Sequence, residues 1–258
     1  MRIKNPDKQK GAVLILMFTA MIITATTFIL SAINNRSPQV QDRINKQIEM
    51  VKIKEQLLGY ALNYADYNTV DRGPGRLPCP DTNNDANGQM DCSGRTLGRL
   101  PRSINPAGAG PTPLSDRYAN LDQQFWYAVS PGFRENVGVL NSNVTNFLTL
   151  DGANGFAALI ISPGLALDSQ ARPGGNQISA YLETATADTA TVFISEHATD
   201  STLFNDSIIT ITGEEVMTYA TLRAAQEFKR LMLTHLAVPL NILPVDLTAL
   251  QLILTTLG

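Results

Sequence analysis

Apolar residues run without a charged interruption from Gly11 to Asn35, with only scattered threonines among them. Built as a helix, residues 12–35 would extend about 36 Å at about 1.5 Å per residue, enough for a hydrocarbon core of about 30 Å. A buried helix of a soluble protein would show a polar stripe instead. A secretory signal would have a shorter apolar region, of about 7–15 residues, before its cleavage site. The pattern therefore predicts a membrane-type helix over 12–35. Pro38 is expected to kink the chain or to force an extended residue before it. Beyond it Ile44, Ile48, Val51, Leu58 and Leu62 recur at helical spacing among Lys, Glu and Gln, which predicts an amphipathic helix over 36–65.

The pattern then changes. Residues 66–115 are rich in Gly, Pro, Asn and Asp, the composition of an irregular surface region, and so long a stretch needs an internal restraint. Short β-branched or aromatic runs follow at Phe125–Val129, Asn146–Leu150, Phe156–Ile161, Thr191–Ser195 and Ser207–Thr212, each bounded by Gly, Pro, Asn or Asp. No long helical pattern separates them, so an antiparallel sheet is expected. From Gly213 to about Ala237 helical periodicity returns, with Met217, Ala220, Ala224, Phe228 and Leu231 on one face, Thr212 as cap and Glu214 and Glu215 in the first turn. The apolar tail from Leu240 is broken by Pro244 and Asp246 and its last run is too short to span a membrane; core packing or a partner-binding helix would use it. Together these elements predict an α+β fold: a long N-terminal helix, membrane half plus amphipathic half, packed on a mainly antiparallel β-sheet head with a C-terminal helix.

Charge and composition narrow the function. The net charge of −3 divides unevenly: residues 1–11 carry +3 and the remainder −6, which argues against a nucleic-acid partner. Arg95, Arg99 and Arg102 could form a local patch for DNA, although scattered arginines on an exposed loop are usually just solvated. Lysines and arginines flank the apolar run on both sides, so their count does not orient it. With two histidines and two cysteines, a four-ligand zinc site would consume all of them at spacings that match no zinc pattern. Gly73-Pro-Gly75 and Gly108-Ala-Gly110 lack the strand–turn–helix frame of a nucleotide loop. Ser195-Glu-His197 places a nucleophile near a base, but without a Gly-x-Ser-x-Gly elbow or an oxyanion hole. His235 reads as a core or capping residue, and the Glu214–Glu215 pair as helix-dipole chemistry. No catalytic constellation emerges, and the chain is expected not to be an enzyme.

The N-terminus resembles a type IV prepilin or a type II secretion pseudopilin. Lys8-Gln-Lys10-Gly11 followed by Ala12-Val-Leu-Ile-Leu16 matches a basic leader ending in Gly before an apolar helix that continues into an amphipathic half. The resemblance implies a leader over 1–11, cleavage by prepilin peptidase after Gly11, and an N-methylated Ala12 opening a transmembrane and filament-core helix over 12–35. The amphipathic helix over 36–65 and a periplasmic head over 66–258 would follow, in the inner membrane of a Gram-negative bacterium. The implied partners are the peptidase, other pilin or pseudopilin subunits, inner-membrane assembly proteins and the membrane itself. The family usually has Phe first and Glu fifth in the mature chain, where this sequence has Ala12 and Leu16. That Glu is thought to pair with a neighbouring subunit's terminal amine inside the apolar core, where an unpaired charge is costly. Leu16 cannot do so, which places the resemblance nearer the minor, tip-type subunits. Gly75-Arg-Leu-Pro-Cys-Pro-Asp81, Phe125-Trp-Tyr-Ala-Val-Ser-Pro131, Ile160-Ile-Ser-Pro-Gly164 and Phe204-Asn-Asp-Ser-Ile-Ile-Thr-Ile211 resemble further prepilin-like proteins.

In an oxidising periplasm Cys79 and Cys92 are expected to form a disulfide, restraining the irregular region by about 3 kcal/mol in the chain-entropy model; the alternative is two thiols. Between them Asp81, Asn83, Asp85, Asn87 and Asp91 place oxygen side chains at alternating positions. Such a loop could hold a structural calcium ion, although Ala86 stands where an EF-hand has Gly and no Glu closes the loop; otherwise it is a solvated cluster of Asx turns without metal. No cofactor is otherwise required. Two functional expectations remain open: a minor pilin or pseudopilin that assembles or caps a filament, and a membrane-anchored periplasmic binding or adhesion domain that never polymerises.

Overall fold

The computed structural model describes residues 15–26, 38–67, 73–83, 90–91, 93–104, 112–115, 123–135, 140, 143–167, 170–172, 177–185, 187–195 and 204–235. The chain divides into two compact units, Met1–Lys46 and Gln47–Gly258. Helix α1 occupies residues 15–26, within the first unit. Helix α2, Pro38–Tyr67, begins in the first unit and ends in the second. Pro38 does not kink it but opens it, because a first-turn residue needs no amide proton and proline's fixed φ is already helical. Residues 27–37 lie outside the described set, so of the expected N-terminal helix, with its membrane half over 12–35 and its amphipathic half over 36–65, the described parts are 15–26 and Pro38–Tyr67.

The second unit is α+β. Its sheet has the order β1 (Leu97–Arg99), β4 (Trp126–Val129), β6 (Ala153–Ser162), β5 (Leu148–Leu150) and β7 (Val192–Phe193), with β8 (Ser207–Thr212) also paired to β6. The pairs are antiparallel except β5 with β7. A separate antiparallel ribbon joins β2 (Ser103–Ile104) to β3 (Thr112–Pro113). Strand β6 is the spine of the sheet, and its apolar run Ala157–Ile161 is buried throughout. Asp151 and Gly152 turn β5 into β6 with φ of 52° and 78°. Two left-handed residues in a two-residue hairpin are what an Asp-Gly pair supplies most cheaply.

Both faces of the sheet are covered. Tyr127, Val129, Ala158, Ile160 and Ile211 share a core with Met50, Ile53, Leu57, Ala61 and Tyr64 of α2 and with Val216 of helix α3 (Gly213–His235). The alternate residues Trp126, Ala128, Leu159 and Ile161 join Leu97, Leu148 and Phe193 in a second core. That core is closed by Tyr181, Leu182 and Ala185, which follow a 3-10 turn at Ile178–Ala180. Strands apolar on both sides require two covering layers.

Three expectations are corrected. The packed face of α2 is Met50, Ile53, Leu57, Leu58, Tyr60–Ala61 and Tyr64, so that of the expected stripe Leu58 is buried, whereas Ile48 and Val51 are 64% and 50% exposed. The helix carries two apolar stripes, and the head buries one of them in full and the other only at Leu58. The irregular region of 66–115 contributes β1 to the sheet and buries Leu77, Cys79, Leu97, Leu100 and Ile104, because its backbone groups find partners in the interior. Leu77, for example, donates to the Phe133 carbonyl and accepts from the Glu135 amide. On α3 the inward residues are Val216 and Ala220, while Phe228 and Leu231, expected on the same face, are 52% and 42% exposed.

Candidate functional site

Helix α1 is apolar on every side. Ile15, Leu16, Met17, Phe18, Met21, Ile22 and Ile23 are each at least 59% exposed. Its hydroxyls do not break the apolar surface. Thr19 donates back to the carbonyls of Ile15 and Leu16, Thr24 to those of Ala20 and Met21, and Thr26 to those of Ile22 and Ile23, all at 2.9–3.0 Å. A hydroxyl satisfied by its own helix demands nothing of the surroundings, which suits a non-aqueous environment. Among the described residues no helix is long and apolar enough to cross a membrane. Residues 15–26 extend about 18 Å, and the remainder of 12–35 lies outside the described set. Gly11 and Ala12, the expected processing site, also lie outside it.

The expected disulfide and calcium loop are partly described. Cys79 is fully buried and disulfide-bonded; Cys92 lies outside the described residues, as do Asp85 and Asn87. The loop ends are drawn together. The Asp91 amide donates to the Pro80 carbonyl at 3.0 Å, and the Thr82 hydroxyl meets Asp91 Oδ2 at 2.5 Å and Ser93 Oγ at 3.0 Å. Asp81 is buried beside β1, exchanging both backbone hydrogen bonds with Arg99, while Asn83 is exposed. Thus the Asp91 carboxylate is already engaged by Thr82, and Asp81 and Asn83 sit in different environments. Among the described residues no three His, Cys, Asp or Glu side chains group as metal ligands.

Of the residues that suggested hydrolysis, Ser195 has a structural partner. Ser195 donates its amide to Asp151 Oδ1 at 2.7 Å and its hydroxyl to Oδ2 at 2.5 Å, tying the end of β7 to the β5–β6 turn. His197 and the His235 side chain lie outside the described residues. Glu215 forms a capping box: it accepts from the Thr212 amide at 2.8 Å while its own amide donates to Thr212 Oγ1 at 3.1 Å. Burial opposes ionisation of Glu215, but Lys54 and Thr212 together outweigh it and hold the carboxyl below its ordinary range.

Two further places bear on function. A groove of about 680 Å³ runs between the end of α2 and the second half of α3, floored by Ala65, Pro74, Ala224, Phe228 and Leu231 and edged by the Asp66–Arg223 ion pair. The arginine trio, by contrast, is not a surface patch. Arg99 is 2% exposed, with its guanidinium carbon 4.1 Å from the ring centroids of both Trp126 and Tyr181. Arg95 pairs with Asp188 at 3.2 Å. No local motif announced this stack, since its three members come from β1, β4 and the covering layer. No family model matches the chain, and neither a characterised protein nor a solved structure matches it.

Proposed function

We propose that this chain is a minor pilin or pseudopilin, a non-enzymatic subunit that takes part in assembling or capping a type IV pilus or a type II secretion pseudopilus. Prepilin peptidase removes residues 1–11, and the helix opening at Ala12 then leaves the inner membrane for a bundle of similar helices, with the head in the periplasm. The observation that carries this reading is α1, whose apolar side chains are exposed on all sides and whose threonines are satisfied internally. Apolar surface in water costs about 25 cal/mol per Å² relative to burial, so such a helix belongs in lipid or among other helices. Leu16 offers no carboxylate to a neighbour's terminal amine, which supports a minor rather than a major subunit. The test is the N-terminus of the protein recovered from its native membrane. Methylated Ala12 is expected; a chain beginning at Met1 leaves a simple anchored domain. Gly11→Val should retain the leader, and normal processing of that variant would sink the proposal.

A second reading, a tethered periplasmic binding or adhesion domain that does not polymerise, draws on the groove beside Phe228 and Leu231. It predicts an unprocessed chain absent from sheared filament fractions, and a binding function lost in Phe228→Ser without change in processing.

A further inference from the structure

The polar knot where three loops meet below β8 holds more buried acceptors than donors. Asp206 is 1% exposed, and its Oδ2 accepts the amides of Glu183 at 2.9 Å and Thr184 at 3.2 Å. Its Oδ1 is buried without a partner, and so is the Oδ1 of the adjacent Asn205. The Asn205 amide group is not free to turn round, because its Nδ2 donates to the Leu165 carbonyl at 2.7 Å. Glu183 supplies a second carboxylate, accepting from Gln170 Nε2 at 2.5 Å and from the Asn205 amide at 3.0 Å. Arg172 is the cation of the knot, yet its guanidinium donates to the carbonyls of Ala180, Gly164 and Tyr181 and to Gln170 Oε1, not to either carboxylate. Its other neighbour is the Tyr181 ring, 5.1 Å away. Gly164 admits this packing, since a Cβ there would stand 1.9 Å from Asn205 Oδ1. Two enclosed acceptors on adjacent residues, one of them a carboxylate beside another carboxylate, call for a hydrogen that none of these donors supplies.

We propose that Asp206 holds a proton on Oδ1 in the folded protein, and that this proton is a pH-sensitive latch fastening Gly164–Leu165 and Glu183–Thr184 to the start of β8. Burial, with the Glu183 charge adding to it, pushes the Asp206 carboxyl up to about 7 against the two backbone hydrogen bonds that Oδ2 accepts from Glu183 and Thr184 and the weaker pull of the Gly164 amide, which does not reach hydrogen-bond geometry. The sign follows from linkage. The folded state holds the proton more tightly than the unfolded chain, so the latch stabilises fully in acid and loses strength as pH rises from the ordinary carboxylate range through neutrality. Above that the proton passes to solvent and leaves a buried Asp206 carboxylate beside the half-buried Glu183 carboxylate, so these segments part more readily. Among the described residues the charged group that acts on Asp206 is Glu183, which has the same sign, while Arg172 gives its guanidinium to carbonyls and to Gln170 and neutralises neither carboxylate.

The test is a carbon-13 titration of the Asp206 carboxyl in the full-length chain, with Asp206→Asn for assignment. A midpoint near 7, moved down in Glu183→Gln, is expected. The protection factors of the Glu183 and Thr184 amides, their exchange divided by the intrinsic rate at each pH, should fall through the same range in wild type, and Asp206→Asn should abolish that fall. A carboxyl fully ionised at pH 5 overturns the proposal, as do protection factors of those amides that do not change with pH. So does calcium binding that shifts the Asp206 carbon, since the unpartnered oxygens would then be cation ligands.

Discussion

Lys54 of α2 and Glu215 in the first turn of α3 meet at 2.6 Å, and the same ammonium donates to the Thr210 carbonyl of β8 at 2.9 Å. One side chain therefore ties a helix, a strand and a helix cap together on one side of the sheet. Glu215 is more than a third exposed, so the pair is partly screened. Lys54→Met should lower stability by about 1 kcal/mol at pH 7, read from urea unfolding. Because the folded-state carboxyl lies below its ordinary range, this contribution is present above that range and disappears as pH falls through the folded value. The gap between wild type and variant should close in acid; a gap that persists would assign the effect to packing of the lysine stem.

The Arg99 guanidinium, over both Trp126 and Tyr181, whose own ring centroids are 5.8 Å apart and tilted by 45°, makes a second prediction. A delocalised planar cation covers two adjoining rings in a way that a lysine ammonium cannot reproduce. Arg99→Lys should cost about 2 kcal/mol, and the chain's one tryptophan, buried against the stack, provides the readout. Its emission should shift to the red in the variant before global unfolding. Unchanged emission and stability would mean that the stack contributes nothing beyond burial.

What was legible in the sequence was local. Ser207–Thr212 is a run of β-branched residues after a single serine and folds as a strand over those limits, and Thr212 with Glu215 announces the cap that opens α3. Long-range facts were not legible. Apolar residues at helical spacing mark two stripes on α2, Ile48 with Val51 and Met50 with Ile53, Leu57 and Tyr64. Which stripe is buried depends on the sheet and not on the helix. Likewise Leu97-Gly-Arg99 is too short to signal a strand, and its burial is decided by pairing with Trp126–Ala128 far along the chain. The Asp206 knot draws its members from three separate loops, so no spacing reveals it. For the proposed function the sequence is informative in the first thirty-five positions, of which the structure describes residues 15–26.

The disulfide at Cys79 restrains a region with little regular structure of its own, where the local closing contacts are the Pro80–Asp91 and Thr82–Asp91 hydrogen bonds. Closing a loop of about fifteen residues is worth about 3 kcal/mol in the chain-entropy model. Cys79→Ser, or full reduction, should lower the urea midpoint accordingly, while calcium should leave the midpoint unchanged if the Asx residues only form turns. A calcium-dependent rise in stability would revive the metal loop; insensitivity to reductant would show that buried packing around Cys79 suffices.

Gly164 offers the sharpest steric test. It follows β6 and Pro163 and passes so close to Asn205 that a Cβ would lie 1.9 Å from the side-chain oxygen and 2.6 Å from the backbone oxygen. A contact with backbone cannot be relieved by turning a side chain, so the loop or the start of β8 must move. Asn205 also holds Leu165 and Glu183 through its Nδ2 and its amide, so that movement would loosen the whole knot. Gly164→Ala should therefore cost about 2–3 kcal/mol, more than the gain of a few tenths to about 1 kcal/mol that a glycine-to-alanine change gives where space is free. Gly94→Ala is not a fair control, since its φ of 94° is itself unfavourable for alanine. Gly59, within α2 and with nothing inside 4 Å of the position a methyl group would take, is the proper one. Gly59→Ala should stabilise by about 1 kcal/mol. If the two variants unfold at the same urea concentration, the approach of Asn205 to Gly164 is not a feature of the folded state.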